Sequence, residues 1–197
     1  MSIEKGRFIV FEGDSQVGTT HAERLAKYLQ ERGIDVVLTK DPNGISQVLP
    51  ELTLVAYSKL LEDHIVKALL TSAGRRIGLL FEVIPALSCG KVVISDRFYG
   101  STRIDQAEKG LDVRTIFELE RLAMNTAGEE LEPTITILLD IGKAPAQDNL
   151  KQWKMRREAY LQLAQNLKWE IIDASRGEDE VFDEILKVLK GKRIIKK

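Results

Sequence analysis

The sequence predicts an α/β protein built on a five-stranded parallel sheet flanked by helices. Three observations lead to that class. Apolar runs of strand length alternate along the chain with longer stretches of helical periodicity. The first run is apolar at every position, the pattern of a strand buried on both faces of a parallel sheet. A two-glycine segment then joins that run to the first helical stretch.

In chain order, Phe8-Ile9-Val10-Phe11 is the first strand, followed by Glu12 and by Gly13-Asp14-Ser15-Gln16-Val17-Gly18-Thr19-Thr20. The two glycines keep the spacing of the phosphate-binding loop G-x-x-x-x-G-K-[ST]. Such a loop turns backbone N–H groups toward an anion at the positive end of the next helix. A lysine then neutralises the outer phosphates and a hydroxyl holds Mg²⁺. Here Thr19 and Thr20 offer the hydroxyl, and no lysine follows Gly18. The first helix is read from Ala22 to Gly33, with Ala22, Leu25, Ala26 and Leu29 as its apolar stripe and Gly33 as its stop. Asp35 to Thr39 is the second strand, and the Asp41-Pro42-Asn43-Gly44 that follows is strong turn chemistry. Lys91 to Ser95, Thr134 to Asp140 and Trp169 to Ile172 are the remaining strands, separated by helical patterns. Ligands of such sheets sit beyond the carboxyl ends of the strands, so the residues just after each strand are the candidates for chemistry.

A chain of 197 residues fits one domain, 1–197, with a sizeable core. A formal charge of −1 argues against nucleic-acid binding, and the basic ending from Lys190 to Lys197 reads as a solvated tail. Cys89 is the only cysteine, which excludes a disulfide framework and a cysteine zinc cluster and favours an intracellular protein. With no secretory signal pattern and no apolar stretch of about 18 residues, a soluble cytoplasmic protein without a membrane partner is expected.

From Phe11 to Ala22 the chain resembles the thymidylate kinase family, whose members run F-E-G-x-D-G-x-G-K-[ST]-T-Q-A before the same kind of helix. Thr39-Lys40-Asp41-Pro42-Asn43-Gly44 is similar to the family's T-R-E-P-G-G, and Leu69-Leu70-Thr71-Ser72-Ala73-Gly74-Arg75 to its L-F-A-A-D-R. Val93-Ile94-Ser95-Asp96-Arg97-Phe98 resembles V-I-S-D-R-[YF], with Gln106 on the glutamine of a following A-Y-Q. Further on, Met155 to Leu161 resembles V-R-E-x-Y-L, and Ile171-Ile172-Asp173-Ala174-Ser175-Arg176 resembles V-I-D-A-S-[RQ]. The resemblance runs from Gly6 to about Leu189. Matching from Ala22 leaves His21 at the family's glutamine and deletes the lysine. Matching from Gly13 forward puts Thr19 in the lysine's place and removes a residue inside the helix, rotating its buried face by about 100°. The deletion is preferred, and neither alignment restores an ammonium group.

The resemblance implies a P-loop NTPase-type fold of the nucleoside monophosphate kinase kind, with ATP and Mg²⁺ as cofactors. It also implies dTMP or another monophosphate as acceptor, a place in nucleotide biosynthesis, and a homodimer. It assigns Gly13, Asp14, Ser15, Gly18, Thr19 and Thr20 to the phosphate loop, with Thr19 or Thr20 and Asp96 at the metal. Asp96, Arg97 and Lys40 fall at the phosphoryl site, and Arg75 on the arginine that grips the monophosphate. Ser101 falls among the nucleotide- or phosphate-binding residues, Gln106 on the acceptor side, and Arg176 in the loop that borders adenine.

The departures are chemical. Lys40 lacks the guanidinium fork. Thr71 stands where a phenylalanine stacks on thymine, a contact worth about 1–3 kcal/mol in comparable systems. Ile104 and Asp105 change the wall facing the base. The lid, about 141–154, is short and has no arginine; Lys151, Lys154, Arg156 and Arg157 could partly replace its charge, but on a helix they read first as a solvated basic face. One arginine finger can be worth about 10³ to 10⁵ in rate. The loss of two cations therefore predicts a thymidylate kinase-like nucleotide-binding protein whose phosphorylation of dTMP to dTDP is weak or lost, with Lys40 as the substitute cation. Two alternatives stay open: a non-catalytic binding or regulatory subunit, and a kinase for another nucleoside monophosphate.

Overall fold

The computed structural model describes residues 6–13, 16–41, 63–126, 129–144 and 149–195. Its centre is β1 (Arg7–Glu12), where every residue from Phe8 to Glu12 is buried. On one side β1 pairs in parallel with β3 (Val92–Asp96), which pairs in parallel with β2 (Val36–Lys40). On the other side it pairs with β6 (Ile135–Asp140), followed by β7 (Glu170–Asp173). The order β2-β3-β1-β6-β7 is the expected five-stranded parallel sheet. Each strand begins or ends within a residue or two of its expected bounds. The uninterrupted burial foreseen for the first strand also holds for β3 and most of β6. At the two edges, β2 and β7 are half-exposed, with Leu38 and Ile171 facing outward.

Successive residues of β1 enter opposite cores, as the two-residue repeat of a strand requires. Ile9 and Phe11 join Leu25, Leu29, Ile94, Ile137 and Ile185 on one face; Phe8 and Val10 join Leu79, Val93, Leu138 and Tyr160 on the other. The first face is covered by α1 (Val17–Gln30) and α7 (Glu178–Gly191). The second is covered by α2 (His64–Gly78), α3 (Ile84–Ser88), α4 (Tyr99–Glu108), α5 (Val113–Met124) and α6 (Leu150–Leu167).

Three features depart from the sequence reading. The first helix starts at Val17 instead of Ala22, so Gly18, Thr19 and Thr20 already lie in its first turn. Helix α2 runs through a widened π-helical turn, Leu79–Val83, into α3. That turn leads into Pro85, which supplies no N–H to a regular ladder. Between α5 and β6 a two-residue antiparallel pair, β4 (Asn125–Thr126) with β5 (Glu129–Glu130), had no sequence signal. Among the described residues no helix is long and apolar enough to cross a membrane.

Candidate active site

Where the loop leaves β1, Gly13 has a φ of 149°, and a Cβ there would stand 2.8 Å from the Leu139 carbonyl oxygen. Only a residue without a side chain lets the loop pass this close to β6. Asp14 and Ser15, expected in the phosphate loop, lie outside the described residues. The chain re-enters at Gln16, and in the first turn of α1 a Cβ on Gly18 would meet Asp96 Oδ1 at 3.1 Å.

Asp96 is the meeting point of three elements. It closes β3, where it stands in register with Phe11 of β1 and Lys40 of β2. Thr19 Oγ1 donates to Asp96 Oδ2 at 2.6 Å, and Lys40 Nζ lies 3.0 Å from the same oxygen. The carboxylate is buried while the Lys40 side chain is 52% exposed, so its ammonium reaches the pair from the solvent side. Thr20 is turned away, its hydroxyl donating to the Gln16 carbonyl one helical turn back. Of the two hydroxyls expected near a metal, Thr19 alone stands against Asp96. A hydroxyl and a carboxylate are hard oxygen donors of the kind Mg²⁺ takes beside phosphate oxygens and water, so these residues fit the ion.

Arg97 follows in the left-handed region at φ 71°, a conformation rare for a residue with a side chain and concentrated at functional sites. It is held there because its N–H donates to the Phe11 carbonyl at 2.8 Å and Ser95 Oγ donates to the Arg97 carbonyl at 2.6 Å. The side chain is half-buried, and its charge acts on the Glu12 carboxyl.

Glu12, which the sequence reading passed over, organises this turn. It is 1% exposed, and its Oε1 accepts the N–H groups of Phe98 and Gly100 while Oε2 accepts that of Ser101. Burial raises its carboxyl from 4.5 to about 7, against the lowering effect of its hydrogen bonds to Ser101 and Gly100 and of the Arg97 charge. The signal for it was a charged residue ending an otherwise apolar strand.

Other expected site residues are committed elsewhere. Ser101 donates its hydroxyl to the Phe98 carbonyl and its amide to Glu12, so it shapes the turn. Arg75 is buried. Its Nε donates to Asp41 Oδ2 at 2.6 Å and its Nη2 to Thr102 Oγ1, with the guanidinium 5.4 Å from the Phe98 ring. Burial raises the Asp41 carboxyl, and the Arg75 charge opposes it. Arg75, Asp41, Lys40 and Ser95 line one small cavity of about 20 Å³ beside the Lys40–Asp96 pair. Gln106 is buried on α4. Arg176, exposed beyond β7, donates Nε to the Asp173 carbonyl at 3.2 Å, at the opposite edge of the sheet from Lys40. Residues 42–44 of the turn and 145–148 of the lid lie outside the described residues.

The basic face expected on α6 is only partly solvated. Lys151 and Lys154 are exposed. Arg156 instead pairs with Asp105 and Glu108 of α4, and Arg157 forms a two-point pair with Asp140 at 2.7 Å for each bond.

A glycine turn against β6, a threonine–aspartate pair at the start of α1 and an arginine held at the end of β3 thus share one end of the sheet. The family model for thymidylate kinase matches residues 11–185. The chain belongs to the thymidylate kinase family. It is 34% identical over 199 residues to a thymidylate kinase of Geobacillus sp. (strain WCH70), covering 90% of this chain and 93% of that one. It is 30% identical over 210 residues to a probable thymidylate kinase of Pyrococcus horikoshii, covering 94% and 97%. A thymidylate kinase of Ligilactobacillus salivarius (strain UCC118) is 32% identical over 209 residues, covering 94% and 98%. Thymidylate kinases use ATP and typically a divalent metal. In this member of the family the loop ammonium is absent, and Lys40 is the cation paired with Asp96.

Proposed function

We propose that this chain is a slow ATP-dependent nucleoside monophosphate kinase acting on dTMP, in which Lys40 substitutes for the missing loop lysine. One observation carries the reading: Lys40 Nζ lies 3.0 Å from the aspartate that also receives the Thr19 hydroxyl at the start of α1. A cation there is tied to the loop's own helix through a shared carboxylate. Phosphoryl transfer needs mainly positioned positive charge around the migrating group, and Lys40 with Arg97 supplies two such charges. In this role Thr19 and Asp96 would hold Mg²⁺, which would supply charge neutralisation for the phosphate oxygens, and the amides at the start of α1 would receive the phosphates.

A coupled assay of ADP release with ATP, Mg²⁺ and dTMP tests the reading. Lys40→Met should lower kcat by about 10²-fold or more, the scale of one electrostatic contact in a transition state. Inserting a lysine after Gly18 should raise the wild-type rate. An unchanged rate in Lys40→Met would refute the substitution.

A second reading, a kinase for a different monophosphate, draws on Asp105. At a position that is aromatic in the family, this side chain pairs with Arg156 at 2.8 Å, and the Thr71 hydroxyl donates to its own helix at the Lys67 carbonyl. Neither residue offers a stacking surface to thymine. Turnover across a panel of monophosphates separates this from the dTMP reading.

The homodimer of the family is also proposed. Ile65 and Leu69 on α2, Phe81 in the π-turn and Leu122 on α5 are exposed and apolar, and Arg76 ties α5 to α2 by donating to the Leu122 and Asn125 carbonyls. An apolar face of this kind suits burial against a second copy. A cytoplasmic setting fits a free, exposed Cys89 and nucleotide substrates.

A further inference from the structure

Helix α6 brings Arg157 to the first glycine of the loop. Arg157 lines one cavity with Gly13, Asp140, Trp153 and Tyr160. Its Nε and Nη2 donate to the two carboxylate oxygens of Asp140 at 2.7 Å each, a side-on fork that fixes the guanidinium plane. Asp140 is itself held, because Oδ1 also accepts the Gly142 N–H at 3.1 Å and its carbonyl accepts the Ala174 N–H at 2.8 Å. The hydrogen bond from Arg157 lowers the Asp140 carboxyl below its ordinary value, so the pair stays ionised at neutral pH. The fork engages two of the five guanidinium N–H donors. Among the described residues the two on Nη1 have no hydrogen-bond partner, the guanidinium carbon lies 5.7 Å from the centre of the Trp153 ring, and the side chain is 37% exposed. Tyr160, whose hydroxyl is buried and without a hydrogen-bond partner among the described residues, lines the same cavity. An arginine locked on one edge, open on the other and set against the phosphate loop is pre-organised for an anion.

We propose that Arg157, aimed by Asp140 as its positioning residue, contacts the transferring phosphoryl group through Nη1 and so replaces the arginine that the lid lacks. The inference rests on the kinase reading above. In the step itself an oxygen of the acceptor monophosphate forms the new P–O bond as the bond to the β–γ bridging oxygen of ATP breaks. The electron pair stays on that bridging oxygen, which becomes a terminal phosphate oxygen of ADP. Arg157 neutralises the charge gathering on the equatorial and leaving oxygens.

The test compares wild type with Arg157→Ala, Arg157→Lys, Asp140→Asn, Asp140→Asn/Arg157→Ala and the exposed control Lys154→Ala. Kinetics with ATP and dTMP are measured beside ATP and ADP affinities from calorimetry, and thermal unfolding verifies that each variant is folded. Arg157→Ala should lose about 10²- to 10³-fold in kcat with KM for dTMP little changed, and its preference for ATP over ADP should vanish. Arg157→Lys should recover only part of the rate, because a point charge lacks the fork. Asp140→Asn should lose less than Arg157→Ala, and the double variant should be no worse than Arg157→Ala alone. Lys154→Ala should match wild type. Wild-type kcat in Arg157→Ala, or additive losses in the double variant, would overturn the proposal. If the wild type binds ATP yet phosphorylates no monophosphate, the kinase reading fails by itself, and Arg157 is then judged by binding. Loss of ATP-over-ADP discrimination in Arg157→Ala sustains the phosphate contact, and unchanged discrimination refutes it. A wild type that binds no ATP refutes both.

Discussion

Replacing Glu12 with glutamine removes a carboxylate buried between β1 and the start of α4, and it should change how stability depends on pH. Burial displaces this carboxyl from 4.5 to about 7 even though three backbone N–H groups point at it. A folded-state value above the unfolded one means the native protein holds the proton more tightly between those limits. Stability therefore falls as pH rises from about 4.5 to about 7 and is level above that. At about 1.4 kcal/mol for each pH unit, the whole contribution is about 3 kcal/mol. His21 acts in the opposite direction over part of that range. Burial lowers its imidazole from 6.5, so its contribution grows as pH rises toward 6.5. Asp140, Asp112 and Asp173 are all lowered from 3.8, so their contributions are lost only under more acidic conditions.

The difference between wild type and Glu12→Gln isolates the one group, because the histidine and the aspartates are common to both. Urea unfolding from about pH 5 to about pH 8 should show wild-type stability declining relative to the variant by about 2.5 kcal/mol, the part of the contribution that falls within this range. Absolute stability is the poorer measure, since a glutamine has one acceptor oxygen and turns an NH₂ group toward a backbone donor. Parallel pH profiles for the two proteins, or a wild-type profile that rises relative to the variant, would refute the assignment of a buried, proton-retaining carboxyl at residue 12.

Three further outcomes follow from the geometry. Thr19→Ala should raise the Mg²⁺ concentration needed for half-maximal turnover by about tenfold, while Thr20→Ala, whose hydroxyl donates to the Gln16 carbonyl just before α1, should shift it little; a metal titration of the two variants decides. Gly13→Ala should destabilise by more than about 1 kcal/mol, because its Cβ would stand 2.8 Å from the Leu139 carbonyl at a φ of 149°, and chemical denaturation measures the loss. Phe81→Asp should shift the sedimentation of a dimer to that of a monomer, since Phe81 is 77% exposed on the proposed contact face.

What was legible in the sequence was whatever is written in consecutive residues. The runs Phe8–Phe11 and Val92–Ile94 gave the central strands because a strand buried on both faces has no polar position to spare. Asp96 and Lys40 were legible as site residues because each ends a strand of such a sheet. The commitments of Arg75, Ser101, Arg156 and Arg157 were not legible. Each is an ordinary helix residue until the fold supplies a partner 17 or more positions away, such as Asp140 for Arg157 or Glu12 for Ser101. Glu12 was hidden for the same reason: the fold buries it, which raises its carboxyl, and the amides that donate to it belong to residues 98, 100 and 101, more than eighty positions along the chain. The helix start was misplaced because Val17-Gly18-Thr19-Thr20 has neither an apolar stripe nor a side-chain cap, and α1 begins there with no capping hydrogen bond from Gln16.

This contrast bears on the missing lysine. A linear reading counts cations within a motif, whereas the phosphoryl group responds to cations within a few ångströms, whichever strand or helix carries them. Lys40 approaches Asp96 from β2, two strands away from the loop, and Arg157 approaches Gly13 from α6 on the β6 side. The two flank β1 on opposite sides, and each is oriented by a strand-end aspartate, Asp96 or Asp140. If both proposals hold, the effects of Lys40→Met and Arg157→Ala should be close to additive in free energy, because the two cations share no partner among the described residues. A double variant no slower than the worse single one would mean instead that one cation does the work assigned to both.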